Sequence, residues 1–569
     1  MINILKLWIV LLSGMILKKG EVKDLNILAV IPARGGSKGI PRKNIRLMCG
    51  KPLISYSIEN ALNSKFDLDV VVSTDDDEIE RIALLYGAQV IKRPEELAQD
   101  NVTLDPVIYH ALIKMEKRNN IIYDIVITMQ PTSPLLKSST LDNAIKYFIK
   151  NNFDTVISGI NRPYLSWTEI EGKLVPLYKE RLNRQYLPKN LIETGAFFIT
   201  KRKFVKENSR LGANVSIYEV SENESIDIDS PKDWWVAEKY LSKKNILIRT
   251  DGYSEIGLGH IYRGLLLASN LIDHDVRFVL SKKSDIGLEK IRKNCYPYII
   301  IDKNEDIINL IEKYNCDIVI NDILDTDKDY IFKLKQTGVR VINFEDLGPG
   351  ADFADAVIND LYEKQKEGNH YFWGSDYYCI RDEFFLAKPK DFSHVVKEVL
   401  ILFGGTDPCN LTERLLDVII SLPKDLDIKY TFILGIGYNK TDELIERVKK
   451  TNLNIEVVQD VKLMTEYMSK ADIAISSQGR TMFELAFMAV PTILLAQNTR
   501  ELHHDFGYLK NGFINLGLGR EVDDQTIRET LIWLINSPQI RYQMRKQMLS
   551  INLKNGIKRV IKIILGEDI

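Results

Sequence analysis

The chain has 569 residues, of which 45% are apolar and 27% charged, the proportions of an ordinary globular protein too long for one core. Its 76 Lys and Arg nearly cancel 78 Asp and Glu, so no overall field draws in nucleic acid or a membrane surface, and any anion site must be local. The cysteines Cys49, Cys295, Cys316, Cys379 and Cys409 are scattered, odd in number and without a C-x-x-C pair, which argues against a disulfide framework or zinc site and suits the cytoplasm.

Residues 5–17 are an apolar run broken by Lys6, too short for a comfortable bilayer span and lacking a small-residue cleavage site. Residues 1–24 therefore read as an N-terminal extension, with translation starting at Met1 or Met15 and no stable membrane span expected. The apolar run at 27–30 reads as a buried strand that leads into Ile31-Pro-Ala-Arg-Gly-Gly-Ser-Lys-Gly-Ile-Pro-Arg-Lys-Asn44. Gly35, Gly36 and Gly39 let the backbone approach a ligand, while Arg34, Lys38, Arg42 and Lys43 supply charge for a triphosphate. The spacing is not that of a Walker loop.

Downstream, the pattern predicts a helix over 51–62, a strand over 69–74 and a helix capped by Asp75-Asp76-Asp77 and ended by Gly87. Strands follow at 88–92 (before Arg93-Pro94), 125–129 (before Gln130), 155–159 and 195–199, and Ser230-Pro231 starts a helix to 241. This alternation implies a mainly parallel, helix-covered sheet. Just before the last helix, Asp227-Ile228-Asp229 sets two carboxylates on one side of an extended segment with Ile228 facing inward, a pair of hard ligands suited to magnesium.

At Ser242-Lys243-Lys244 the count restarts. A strand over 245–250 leads through a loop into a helix beginning at His260, and alternation continues to about 343. An irregular segment follows from 346 to 390, then a strand over 398–403 ending in Gly404-Gly405, and further alternation to about 550. Two Rossmann-like halves with a cleft between them are expected. Gly257 and Gly259 open the backbone at a helix start that favours an anion, and the imidazole of His260 is a candidate general base. The stretch from Ser477 to Glu484 suits a ribose diol and a diphosphate, and a strand over 491–496 delivers Gln497-Asn498. His503 and His504 compete for the base role from a helix beyond that strand.

Residues 26–241 resemble the CMP-sialic acid synthetase (acylneuraminate cytidylyltransferase) family. The resemblance lies in the Ile31–Asn44 loop, Ser73-Thr-Asp-Asp76, Arg93-Pro94, Gln130-Pro-Thr-Ser-Pro134, Glu193-Thr-Gly-Ala-Phe197 and Asp227-Ile-Asp-Ser-Pro231. It implies an α/β fold in which residues 25–242 form a single Rossmann-like nucleotidyltransferase (GT-A-like) domain and a homodimer through it. It implies CTP binding by Arg34, Ser37, Lys38, Lys43, Asn44 and Arg93, with Arg34 and Lys43 on the triphosphate, Gln130 and Arg184 on the acidic sugar, and Mg2+ on Asp227 and Asp229. The anomeric hydroxyl of a 2-keto sugar acid would attack the α-phosphorus of CTP and release pyrophosphate. The rival is a cytidylyltransferase for the shorter Kdo sugar.

Residues 245–550 resemble the UDP-sugar hydrolase of pseudaminic acid biosynthesis, a relative of the GT-B glycosyltransferases. The matching motifs are Gly257-x-Gly-His-x-x-Arg263, Gly404-Gly405, the 477–484 stretch and Gln497-Asn498. The resemblance implies a GT-B-like pair, 245–395 and a UDP-binding half 396–569. Gly257, Gly259, Arg263, Gly404, Gly405, Ser477 and Glu484 would hold the UDP-sugar, and His260, assisted by Asn498, would activate water at the anomeric carbon. The hydrolysing 2-epimerases share this architecture, but their G-T-R-P-E signature is absent. A glycosyltransferase and a silent nucleotide-sugar-binding module remain the alternatives for this region. The combined expectation is a cytoplasmic bifunctional enzyme of nonulosonic acid biosynthesis, acting on CTP, a nonulosonic acid and a UDP-sugar.

Overall fold

A computed structural model describes residues 25–253, 256–424 and 426–568; the N-terminal extension and the choice between Met1 and Met15 lie outside the described residues. The chain divides into two compact units, Met1–Lys243 and Lys244–Ile569.

The strands of the first unit are β1 (Ile27–Pro32), the ribbon β2–β3 (Leu47–Met48 and Lys51–Pro52), β4 (Leu68–Thr74), β5 (Gln89–Lys92), β6 (Ile125–Met129), β7 (Thr155–Asn161), the hairpin β8–β9 (Trp167–Ile170 and Lys173–Pro176), β10 (Leu191–Lys201) and β11 (Val215–Glu219). Seven form one sheet in the order β11-β7-β10-β6-β1-β4-β5. β1 lies inside it, between β6 and β4, with Ile27, Ala29 and Ile31 packed on one face and Leu28 and Val30 on the other. A strand buried on both faces is continuously apolar, which is why this run was legible. β10 runs antiparallel to β6 and β7, because the chain returns from β7 through the β8–β9 arm and not through a helical crossover. Glu171 and Gly172, both with positive φ (50° and 75°), make the two-residue turn of that hairpin.

In the second unit the strands of the first half are β12 (Asn245–Thr250), β13 (Asp275–Ser281), β14 (Tyr298–Ile301), β15 (Ile318–Asp322), β16 (Arg340–Phe344), β17 (Ala356–Asn359) and β18 (Tyr371–Trp373). Those of the second half are β19 (Glu398–Leu402), β20 (Lys429–Leu434), β21 (Ile455–Gln459), β22 (Ile473–Ser476), β23 (Thr492–Ala496) and β24 (Phe513–Leu518). The orders β14-β13-β12-β15-β16-β17-β18 and β21-β20-β19-β22-β23-β24 are both doubly wound, with all pairings parallel and the crevice outside the carboxyl ends of the strands. The unit is therefore a GT-B-like pair.

Two boundaries differ from expectation. The segment read as irregular contains β17 and β18, which are only four and three residues long and too short for a periodicity to register. The helix Gly556–Leu565, assigned by sequence to the second half, buries Val560, Ile563 and Ile564 in the core of the first half. Arg340 fastens it there by donating to the Ile563 and Ile564 carbonyls at 2.9 and 3.2 Å. Among the described residues, no helix is long and apolar enough to cross a membrane.

Candidate active sites

The first site lies where β1 ends. Gly35 donates its N–H to Asp75 (3.2 Å), and a Cβ at Gly35 would sit 2.5 Å from Asp76 Oδ2, so any larger residue would have to displace the Asp76 side chain. Asn44 closes the loop on itself, its Nδ2 donating to the Arg34 carbonyl at 3.0 Å. Arg42, in a left-handed conformation (φ 57°), turns away and pairs with Asp76 at 2.6 Å and with Glu78.

The other loop cations face a cleft of about 430 Å³ lined by Arg34, Ser37, Lys38, Lys43, Asn44, Arg93 and Gln130, together with Thr132 and Asp229. Arg93 follows β5 and is buried, donating to Ser73 O at 2.7 Å. Burial, aided by the charge of Arg34, pulls its guanidinium down to about 10.

The Asp227–Asp229 segment reaches the loop although it lies far along the chain. Lys43 Nζ donates to Ile228 O at 2.5 Å and lies 3.4 Å from Asp229 Oδ1, and a Cβ at Gly39 would come within 2.5 Å of Asp229 O. Ile228 is fully buried, while Asp229 is well exposed and Asp227 is half-buried. The carboxyl of Asp227 is pushed up, first by burial and then by Asp229, and its Oδ1 is buried without a hydrogen-bond partner. Gly195, with φ 71°, lets β10 pass close by: a Cβ there would be 2.9 Å from Gln130 Nε2 and 3.4 Å from Asp227 Oδ2. Arg184 is not brought to the cleft. It stands exposed on the arm after β9, its guanidinium 5.2 Å from the centre of the Tyr164 ring.

The second site is a cleft of about 420 Å³ between the two halves of the second unit. His260 is the second residue of the helix Gly259–Asn270 and is buried. Its Nδ1 lies 2.6 Å from Asp322 Oδ1 at the end of β15. Arg263, one turn on, is also buried: its Nε donates to Asp322 Oδ2 at 2.7 Å and its Nη1 to Glu345 Oε1 at 2.6 Å. The expectation that Arg263 holds a ligand therefore gives way, because its guanidinium is already committed to two buried carboxylates. From the opposite half, Arg480 Nη1 reaches the same Glu345 oxygen at 2.7 Å, and its Nη2 reaches Asp360 at 3.2 Å.

Burial would push the Glu345 carboxyl up, but Arg263 and Arg480 outweigh it and hold the group well below the carboxylate range. Burial does raise Asp360, and the charge of Glu345 adds to that. For Asp322, burial is outweighed by Arg263 and His260, and the carboxyl is lowered. Glu345 has φ 52°, a strained conformation for a non-glycine residue that persists because both arginines hold its side chain.

Two glycines of the cleft are fixed by backbone conformation. Gly257 (φ 74°) and Gly404 (φ 77°) need the left-handed region, and a Cβ at Gly405 would be 3.7 Å from Gly257 Cα. Gly259 and the buried Ser477 line the same space. Glu484 also borders it, but its carboxylate accepts from Arg381 Nε at 2.8 Å. Gln497 is spent on structure, its Nε2 donating to Phe403 O (3.0 Å) and Asp407 Oδ1 (3.1 Å). Asn498 is exposed, its Oδ1 accepting from Glu501 N at 3.0 Å. His503 is exposed in a single 3-10 turn, Glu501–His503, where a helix was expected. His504 is buried with its Nδ1 2.6 Å from Gln478 O, and burial lowers it.

Asp322, Glu345 and Asp360 escaped the sequence reading. Their signal is a carboxylate directly at or after the end of an apolar strand, where a parallel sheet presents its crevice.

Residues 28–226 match the cytidylyltransferase family model, and residues 399–558 match the glycosyltransferase family 28 C-terminal domain. The chain is 37% identical over 226 residues to the pseudaminic acid cytidylyltransferase of Campylobacter jejuni subsp. jejuni serotype O:2, covering 38% of this chain and 97% of that protein. It is 36% identical over 227 residues to N-acylneuraminate cytidylyltransferase A of Danio rerio, covering 38% of this chain and 51% of that protein. The chain thus spans about half the length of the zebrafish relative. Among solved structures, MurG of Acinetobacter baumannii aligns with 57% of this chain and 99% of its own, at 12% identity and a TM-score of 0.44. Through its first unit the chain belongs to the cytidylyltransferase family. Its second unit carries a glycosyltransferase-28-like domain in the half that holds Gly404, Ser477 and Glu484.

Proposed function

We propose that the chain is a bifunctional enzyme of nonulosonic acid biosynthesis. In the first unit, the anomeric hydroxyl of a nonulosonate attacks the α-phosphorus of CTP, its proton passing to solvent as the α–β phosphoanhydride bond breaks, forming CMP-nonulosonate and expelling pyrophosphate. Arg34 and Lys43 stabilise the charge that develops on the phosphates; Ser37, Lys38, Asn44 and Arg93 seat the nucleotide, and Gln130 meets the acidic sugar. The supporting observation is that these residues and the Asp227–Asp229 segment line or border one cleft. The half-buried Asp227, held by no cation side chain among the described residues and adjoining Asp229 and Thr132, offers hard oxygen ligands, and both carboxylates would hold Mg2+. When bound, that ion would supply charge neutralisation at the α-phosphate. Pyrophosphate release from CTP with pseudaminic, legionaminic, sialic and Kdo acids tests this reading. Release with none of the nine-carbon acids would refute it.

In the second unit, water attacks the anomeric carbon of a UDP-diacetamido-trideoxy-hexose, releasing UDP and the free sugar. Asp322 occupies Nδ1 of His260, which leaves Nε2 as the atom that takes the proton of water. Asn498 assists from the rim, while Gly257, Gly259, Gly404, Gly405 and Ser477 admit the diphosphate to the backbone. Glu484, paired with Arg381, reaches the ribose. The glycosyltransferase-28-like match favours a second reading, in which a sugar hydroxyl takes the place of water. UDP released from a UDP-sugar alone, and lost in His260→Ala, supports hydrolysis; release only with an added acceptor supports transfer.

A homodimer through the first unit is part of the proposal. It is supported by the exposed apolar side chains of the β8–β9 arm and its flanks, Trp167 at 52%, Leu174 at 73% and Tyr186 at 69% exposure. A monomer in sedimentation at micromolar concentration would exclude it.

A further inference from the structure

Each of the four loop cations has a carboxylate partner in the structure. Arg42 is diverted to Asp76 and Glu78, and Lys43 lies against Asp229. The remaining two share one group. The carboxylate of Asp100 lies 2.8 Å from Arg34 Nη2 through one oxygen and pairs with Lys38 Nζ through the other. Arg34 also donates to the Ala98 carbonyl at 3.4 Å, so both contacts come from the same segment. That segment follows Arg93, turns through the 3-10 helix Glu95–Leu97 and ends where the helix Leu104–Asn119 begins.

Asp100 is not a structural residue. Its side chain is 49% exposed, and among the described residues its hydrogen-bonding and ionic partners are Arg34 and Lys38. Those two cations hold its carboxyl below the usual range, Lys38 most strongly. Pairs this exposed are weak and exchange readily. A single carboxylate carries one negative charge, whereas a triphosphate brings several to the same two cations and wins the competition.

We propose that Asp100 is a built-in counter-anion of the phosphate site: it occupies Arg34 and Lys38 in the empty cleft, is displaced by the outer phosphates of CTP, and returns as pyrophosphate leaves. The inference rests on the Ile31–Asn44 loop being the triphosphate site. Asp100 holds the loop cations apart from adventitious anions, and it speeds release of the product most strongly held by them. It discriminates by charge, since CMP offers too little phosphate to replace it.

The test uses the full chain with Asp100→Asn, with Asp100→Glu as the charge-retaining control. Calorimetry without acceptor sugar measures CTP, CMP and pyrophosphate binding. Removing two exposed pairs should tighten CTP and pyrophosphate by about fivefold and leave CMP within about twofold, while Asp100→Glu stays near the unmodified chain. Inhibition by pyrophosphate during turnover should strengthen in parallel. CTP binding that is unchanged or weaker in Asp100→Asn overturns the proposal, as does equal tightening of CMP. Arg34→Ala separates the two levels. If it leaves CTP binding intact, the loop is not the triphosphate site; if it weakens CTP while Asp100→Asn changes nothing, only the role of Asp100 falls.

Discussion

Glu501 offers a test in which the sign and size of an effect follow from one buried carboxyl. It sits at the rim of the second cleft, where its Oε2 accepts the backbone N–H of Gln497 at 2.8 Å. Burial raises the group from 4.5 to about 7, against the opposing pull of the Gln497 and Gln478 backbone N–H groups. With the folded value above the unfolded one, the unfolded chain loses its proton first as pH rises. The stability this group lends is therefore complete below the unfolded value and is lost as pH climbs to about 7. At about 1.4 kcal/mol for each pH unit, the loss approaches about 3 kcal/mol. Glu501→Gln keeps the shape and the acceptor of the protonated acid but cannot ionise. Urea unfolding of the second unit, followed at a series of pH values, should give the variant and the unmodified chain equal stability near about pH 4, with the variant more stable by about 3 kcal/mol near about pH 8. A difference that stays flat across that range, or a variant that is less stable at the alkaline end, would show that the carboxyl is not held protonated by burial.

Asp322→Asn should cost about 3 kcal/mol, because Arg263 loses one of its buried anionic partners and keeps Glu345. UDP release should fall by about a hundredfold with the loss of the imidazole's orientation, which steady-state assays measure. Because the folded carboxyl is lowered, its stabilising effect is present above an unfolded value of about 4 and fades as pH falls through the folded one, so the variant's deficit should shrink in acid. Gly39→Ala should raise the CTP KM at least about tenfold while barely moving the thermal midpoint, since its Cβ would strike Asp229 O at 2.5 Å in a surface loop. Arg34→Ala should lower CMP-sugar formation by at least about a hundredfold and spare UDP release; parallel loss of both activities would contradict two separate sites.

Much of the first site was legible because its chemistry is concentrated in contiguous words. A buried strand, a glycine loop and its cations occupy one run, and the glycines report geometry that the structure makes explicit at Gly35 and Gly39. The alternation in Asp227-Ile228-Asp229 placed Ile228 inward, where it has a core to enter, but it did not show that Asp227 is half-buried while Asp229 is exposed. Arg184 stands away from the cleft of its own unit, and three residues of context on an exposed arm carry no information about which surface the arm serves. Asp100 was invisible as well, since an aspartate in a polar loop looks like any solvated turn until the cations it meets are located in space.

The second cleft shows a deeper limit. The carboxylates that govern it end or follow three successive strands: Asp322 closes β15, Glu345 follows β16 and Asp360 follows β17. Each alone reads as a polar strand end. They become one site only because the sheet order places β15, β16 and β17 side by side, and β17 was hidden in a segment without periodicity. Their combined charge engages Arg263, which is fully buried, and Arg480, which reaches them from the opposite half. On the proposed reading, a diphosphate entering this cleft would meet the backbone N–H groups around Gly257–Gly259, Gly404–Gly405 and Ser477, which line it. On that reading the glycine motif and the arginine within it have different tasks, the first toward the ligand and the second toward the buried carboxylates Asp322 and Glu345, although their adjacency in sequence suggested a single one.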